Sequence, residues 1–246
     1  MLFWEKYIKK SMETRFDKLQ KQIGIVFKNR TLLTNVFIHR SYLNEHKSLK
    51  LLSNEKLEFL GDSVLSLITS VYLFKNYPKL VEGDYTEIKS AIVKTESLAE
   101  AAKELSLGEY LYLSRGEEMS GGRSNKNILA DTFEALIGCI FLDQGFDSAY
   151  LFVKDNLFKT KLDYIVKNKL YLSAKSKLQE FIQGKYKTTP VYKVLAETGP
   201  EHKRIFKVGV FFDSRRLGVG VAASKKEAEE KAAKIAFEII SKSGKI

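Results

Sequence analysis

The stretch I-L-A-D-T-F-E-A-L-I-G-C-I-F-L, residues 128–142, constrains the fold more than any other part of the chain. It is apolar on nearly every side, so as a helix it must be surrounded by other elements. Only Asp131 and Glu134 interrupt its first two turns, at i and i+3 and therefore on one face. Carboxylates in such a setting are costly to bury unless they are paired or hold a cation. Cys139 lies in the same run and is the single cysteine of the chain. It reads as a small core residue, and it excludes a disulfide frame or cysteine metal site within one chain.

A second acidic stretch lies upstream. In N-E-K-L-E-F-L-G-D-S-V-L, residues 54–65, the carboxylates Glu55, Glu58 and Asp62 fall at i, i+3 and i+7 on one helical face. Leu57, Leu60, Val64 and Ile68 recur at core spacing. Alone, this pattern is better explained as an acidic solvated face. The pair Asp131 and Glu134 tips the balance: if the two helices pack side by side, Glu58, Asp62, Asp131 and Glu134 converge. Gly61 costs about 1 kcal/mol against alanine inside a helix, which signals a close approach. An all-carboxylate cluster offers hard oxygen ligands and favours Mg²⁺ or Mn²⁺ over zinc. Neither helix carries the Glu-x-x-His of di-iron bundles. Carboxylate-bound Mg²⁺ suits phosphoryl chemistry by activated water, with no covalent nucleophile. Ser63 and Ser66 lack a paired base, and His39, without a second histidine or cysteine nearby, reads as a structural hydrogen-bonder.

Helical spacing extends over the first two thirds of the chain, with no convincing strand. Weak helix over 13–28 ends near Gly24, and Leu32, Leu33, Val36 and Phe37 mark the next helix. The acidic helix runs from about Ser53 to Asn76, where Tyr77-Pro78 stops it. Asp84 and Glu87 make a capping-box-like start to another. R-G-E-E-M-S-G-G-R-S-N-K-N, from Arg115, has the composition of a mobile loop. Gly145 ends the apolar helix, one more runs from Ser148 to about Lys161, and residues 162–172 form a connector.

The pattern then changes. A helix from Ala174 to Gly184 turns Leu178, Phe181 and Ile182 inward. Strand-like runs follow at Val191–Glu197, Arg204–Phe212 and Arg216–Ala222, the second alternating Phe206, Val208, Val210 and Phe212. A last helix, capped by Ser224 with Glu227 at N3, presents Ala228, Ala232, Ile235, Ala236 and Ile239 as its inner face. The expectation is an all-α domain followed by a small α+β domain of order α-β-β-β-α.

The net charge of +11 points to a polyanionic partner, and its distribution says where. Residues 171–246 hold 16 Lys and Arg against 8 Asp and Glu, while the rest hold 25 against 22. Lys225 and Lys226 stand in the first turn of the last helix, unfavourable for cations unless backbone N–H groups and lysines together receive a phosphate. His202 and Lys203 lie in a loop between strands, and the first helix of the module exposes Gln179 and Glu180, which can reach 2′-hydroxyls. Such a set fits shape recognition of A-form RNA. No apolar run approaches the ~18 residues of a membrane span. The start, M-L-F-W-E-K-Y-I-K-K, carries charges throughout and lacks a secretory h-region, so a reducing cytoplasm is the default. Met12 is an alternative start that would make residues 1–11 dispensable.

These blocks resemble bacterial ribonuclease III over nearly the whole chain after about residue 12. N-E-K-L-E-F-L-G-D-S-V-L is similar to the family signature, H-R-S-Y and L-A-D-T-F-E-A-L-I-G match two further blocks, and S-K-L-Q-E-F, G-P-E-H-K and S-K-K-E-A-E-x-K-A-A resemble a double-stranded-RNA-binding domain. The resemblance implies a catalytic domain over 12–161, a linker over 162–172 and an RNA-binding domain over 173–242. It implies that Glu58, Asp62, Asp131 and Glu134 form a metal site, Asp62 and Glu134 being catalytic, with Glu55 and Glu82 at further acidic positions of the cleavage centre. Phe59 matches an aromatic that plugs into a partner subunit, implying a homodimer. The implied activity is Mg²⁺-dependent hydrolysis of double-stranded RNA, such as ribosomal RNA precursors and other structured transcripts, without a small-molecule cofactor or a membrane. The implied products carry 5′-phosphate and 3′-hydroxyl ends with a short 3′ overhang. Glu229 stands where some members carry another basic residue. The rival reading is an RNA-binding protein that kept the fold without catalysis.

Overall fold

The computed structural model describes residues 16–49, 51–200 and 203–243. Met12 and the segment before it lie outside that range. The chain divides into two compact units, residues 1–168 and 169–246.

The first unit is built on two helices, α4 (Glu55–Asn76) and α8 (Lys126–Gln144), the apolar stretch of the sequence. They follow α1 (Asp17–Ile23), α2 (Arg30–Val36) and α3 (Arg40–Glu45), and are separated by α5 (Glu82–Ile92), α6 (Thr95–Glu104) and α7 (Arg115–Met119). Leu57, Val64, Leu65, Ile68 and Leu73 of α4 are buried, as are Leu129, Phe133, Leu136, Ile137, Cys139 and Ile140 of α8. Two glycines set how closely these helices pack. A Cβ on Gly61 would overlap the carbonyl oxygen of Glu134, and a Cβ on Gly138 would overlap that of Leu57 while standing 3.1 Å from the Gly61 nitrogen. No side chain separates the backbones at this crossing.

Against the expectation that no apolar run approaches the length of a membrane span, helix α4 is long and apolar enough by composition to cross a membrane, since its acidic residues are confined to its first turns. Its buried side is the core of this unit, and the outward side carries Phe59, Leu67 and Phe74. At its other end, α8 is tied back to the start of the chain. Asp143 accepts from the backbone N–H of Lys28 and Asn29 at 2.9 and 2.8 Å, and Asn29 in turn caps α2.

Three local expectations are corrected. Residues 115–127 do not form an unstructured loop: they hold α7, a 3₁₀ turn at Gly122–Ser124 and the first residues of α8. Arg123 fastens this segment, one guanidinium nitrogen donating to the carbonyls of Gly108 and Leu111 at 2.9 Å and another to Glu118 at 2.7 Å. The helix expected over 148–161 is α9 (Phe146–Val153), a π-helical turn at Lys154–Phe158 and α10 (Lys159–Lys167), so residues 162–167 are helical and Leu162 is buried. Asp84 alone closes the start of α5, accepting from the Val81 N–H at 3.3 Å; Glu87 takes no part.

The second unit runs α11 (Ala174–Tyr186), β1 (Val191–Thr198), β2 (Ile205–Phe212), β3 (Arg215–Ala222) and α12 (Lys225–Ser243). The strands form an antiparallel sheet in the order β1-β2-β3, with Val194 opposite Val208 and Gly209 opposite Val219. Val208 and Val210 of β2 are buried beneath the helices, with Phe206 and Phe212 partly covered. Gly218 and Gly220 let β3 lie against α12, because a Cβ at either would strike the α12 backbone at Ala232 or Ala228. Ala228, Ala232, Ala233, Ala236 and Ile240 are the buried stripe of α12. Ile235 and Ile239, expected inward, are 43% and 55% exposed: the i+4 line through the alanines ends at Ile240, leaving the other two on its flank.

Gly61→Ala is expected to destabilise the protein by roughly 3 kcal/mol or more, because helix backbone must move to admit the methyl group. Gly83→Ala, in α5 with nothing within 4 Å of the added carbon, is expected to be neutral or to stabilise by about 0.5–1 kcal/mol. Urea denaturation distinguishes the two, and equal effects would contradict the close crossing.

Candidate active site

The α4–α8 crossing brings acidic side chains together. Glu58 stands one turn before Gly61 on α4, and Asp131 and Glu134 stand one turn apart on α8. Carboxylate oxygens of Glu58, Asp131 and Glu134, all partly buried, lie within 4.8 Å of one another. Neighbours this close cannot all remain ionised cheaply. Burial, then the charges of Asp62, Asp131 and Glu58, push the Glu134 carboxyl up to about 8. Burial first, and Asp131 next, raises Glu58. Burial also raises Asp131, opposed by nearby His39. The arrangement is short of positive charge in the way a divalent cation would correct, and its all-oxygen donor set suits a hard cation rather than zinc.

Asp62 is more exposed and outside this triad, yet it is the strongest of the charges acting on Glu134. Glu55 lies at the rim: it accepts from the Ser53 hydroxyl at 2.8 Å and faces Arg40 at 3.7 Å. Glu82 is not brought to the cluster. It is exposed at the start of α5, where its carboxylate accepts from the Thr86 hydroxyl at 3.0 Å. Phe59, next to Glu58, is 79% exposed.

His39 holds the structural role expected of it, capping α3 through Ser41. It also has a place beside the cluster that spacing did not show. Burial lowers its pKa against the opposing charges of Glu117, Asp131 and Glu55. Glu117 belongs to the segment read as a mobile loop, so only the folded path of α7 reveals it as a neighbour of this site.

The basic unit presents a different surface. Lys225 and Lys226 are exposed at the first turn of α12, where Ser224 Oγ accepts from the Glu227 N–H at 3.2 Å. Lys225 is not free: its ammonium lies 2.9 Å from Glu197 and 5.3 Å from the centre of the Phe206 ring. Gln179 and Glu180 are exposed on α11, Glu180 accepting from Lys169 at 3.2 Å. Lys203 is exposed in the loop before β2, and His202 lies outside the described residues. Glu229 pairs with Lys175 at 2.6 Å, and Glu230 accepts from the N–H groups of Ala174 and Lys175, closing the start of α11.

Comparison with known proteins agrees with both halves. Residues 29–161 match the family described as ribonuclease-III-like, and residues 174–240 match the double-stranded RNA binding motif. The chain is similar to Ribonuclease 3 of Geobacillus kaustophilus, 43% identical over 233 residues that cover 95% of this chain and 94% of the relative. It is similar to Ribonuclease 3 of Chloroflexus aurantiacus at 42% identity, with 95% of each chain covered. A crystal structure of the nuclease domain of ribonuclease III from Campylobacter jejuni superposes with a TM-score of 0.54 at 36% identity, covering 59% of this chain and 95% of that one. A second structure of that domain, concerned with the region involved in dimer formation, gives 0.53, covering 57% and 97%.

The raised Glu134 carboxyl has a definite sign. A carboxyl whose pKa is higher in the fold than in the unfolded chain adds stability fully below the unfolded value of 4.5, and loses it as pH rises through about 8. Glu134→Gln is therefore expected to raise the melting temperature of metal-free protein at pH 9 by roughly 2–5 °C, with little difference at pH 5. Calorimetric melts at the two pH values check this; an equal difference at both would contradict it.

Proposed function

Because the chain belongs to the ribonuclease III family and is an endoribonuclease of double-stranded RNA, we propose that it cuts by Mg²⁺-dependent hydrolysis at the α4–α8 crossing. The observation that carries this reading is the convergence of Glu58, Asp131 and Glu134 from two helices, where burial and neighbouring carboxylates push the Glu134 carboxyl up to about 8. When bound, Mg²⁺, or Mn²⁺ in its place, lowers the pKa of the attacking water and stabilises charge on the scissile phosphate.

Glu58, Asp131 and Glu134 would supply the ligand oxygens, and Asp62 would add a further carboxylate from the more open side of the site. Asp62 and Glu134 are assigned the catalytic part. Glu55, fixed by Ser53 and Arg40, borders the site. Glu82 is assigned to the wider cleavage centre on the resemblance alone. Water attacks the phosphorus and the bond to the 3′ oxygen breaks, leaving a 5′-phosphate and a 3′-hydroxyl. The ends carry a short 3′ overhang when paired centres cut opposite strands.

Pairing of centres requires a homodimer, and α4 offers its contact. Phe59, Leu67 and Phe74 recur on one side of this helix, 79%, 54% and 73% exposed, and Phe59 adjoins the ligand Glu58. The related Campylobacter jejuni nuclease domain has a region involved in dimer formation. The catalytic domain is assigned to 12–161 and the RNA-binding domain to 173–242, with 162–172 between them, partly helical. In the latter, Lys225, Lys226 and Lys203 are assigned to phosphates and Gln179 and Glu180 to 2′-hydroxyls, with His202 assigned to phosphate on the resemblance alone. The free thiol of Cys139 suits a reducing cytoplasm, where ribosomal RNA precursors and other structured transcripts are the natural substrates.

An RNA-binding protein without catalysis is the competing reading, and a labelled RNA hairpin separates the two. Incubation with Mg²⁺ is expected to yield discrete fragments with 5′-phosphate ends, and incubation with EDTA none. Glu134→Ala is expected to bind the hairpin normally while cleavage falls at least about 100-fold. Binding without cleavage by the wild-type protein would exclude the nuclease reading.

A further inference from the structure

At one corner of the basic unit, cations are already paired within the protein. Glu197, near the end of β1, lies directly opposite Phe206 of β2. Its two carboxylate oxygens are divided between cations: Lys225 Nζ at 2.9 Å and an Arg204 guanidinium nitrogen at 3.7 Å. Lys225 also rests over the Phe206 ring. The first lysine of α12 is thus held between a carboxylate and an aromatic face in the free protein. All three ion-pair members are substantially exposed, so the pairs add little to folding.

Their effect on a bound polyanion is larger. Counterion release drives phosphate binding in proportion to the cations that phosphates neutralise, and a cation already neutralised by a carboxylate contributes less. A phosphate arriving at Lys225 must displace Glu197 or sit beside its negative charge. Lys226, the next residue, has no carboxylate partner among the described residues.

Resting on the reading of this surface as the RNA-facing one, we propose that Glu197 is a counter-charge that limits affinity for duplex RNA. It competes with phosphate for Lys225 and Arg204, so duplexes are released more readily than the number of basic residues would allow. Glu197 touches no substrate; it acts through Lys225.

The test uses the full-length protein in EDTA, so that no RNA is cut, with a blunt RNA duplex of about 16 base pairs. Affinity is measured over a series of salt concentrations. Glu197→Gln is expected to bind about three- to tenfold tighter at low salt, with a slope steeper by up to roughly one unit. Glu238→Gln removes the same charge from α12 about 20 Å along the helix from Lys225, well beyond a Debye length of about 10 Å, and is expected to stay within about twofold of wild type. In a Lys225→Ala background, the gain from Glu197→Gln is expected to fall by at least half. Glu197→Thr, which suits a strand, should tighten binding in the same way, with melting temperatures confirming that each variant is folded.

Two failures remain distinguishable. Unchanged affinity in the double variant Lys225→Ala with Lys226→Ala, which also removes the neighbouring lysine, would refute the RNA-facing surface itself. Weakening by that double variant without tightening by Glu197→Gln would leave that surface standing and overturn the counter-charge. Equal tightening by Glu238→Gln would also overturn it, as a general effect of net charge.

Discussion

The contact between Gly61 and Gly138 is what the catalytic unit depends on. With the backbones of α4 and α8 touching there, the residues one turn to either side have no room to diverge. Glu58 is brought against Asp131 and Glu134, and the apolar faces of both helices close over the rest of the core. The same closeness accounts for the electrostatics. Partly buried carboxylates forced together shift toward their neutral forms, and Glu134, the most buried of Glu58, Asp131 and Glu134, shifts furthest. A bound cation would relieve that conflict, so packing and the proposed metal chemistry would share one cause.

The two units meet one requirement with opposite charges. On the proposed reading, the first gathers carboxylates that would hold a cation at the phosphate to be cut. The second gathers lysines and arginines that would hold phosphates that are not cut. The second also pairs many of its cations, as at Lys175 with Glu229 and Lys225 with Glu197. Charge counting from composition overlooks such pairing, because it treats every lysine as available.

Much of this was legible from sequence where the signal is local. The apolar run around Cys139 is buried as expected, the alternation from Phe206 to Phe212 is the central strand, and Gly61 marks a close approach. What escaped depends on contacts distant in sequence. Residues 115–127 look like a loop by composition, but Arg123 holds them by bonding carbonyls 12 and 15 positions upstream. The nearness of Glu117 to His39 follows from that fold and from no spacing rule. Asp62 shares a helical face with Glu58, yet the structure draws only Glu58 into the triad, since a shared face is coarser than a shared site. Ile235 and Ile239 failed for a similar reason: both inward and flanking stripes of α12 are apolar, and only the sheet decides which is covered.

Diffraction from crystals soaked in Mn²⁺, recorded at wavelengths where manganese scatters anomalously, tests the central claim most directly. The account predicts an anomalous peak within coordination distance of carboxylate oxygens from Glu58, Asp131 and Glu134, at the helix crossing. A peak elsewhere, or none there in protein that still cuts duplex RNA with Mn²⁺, would contradict it.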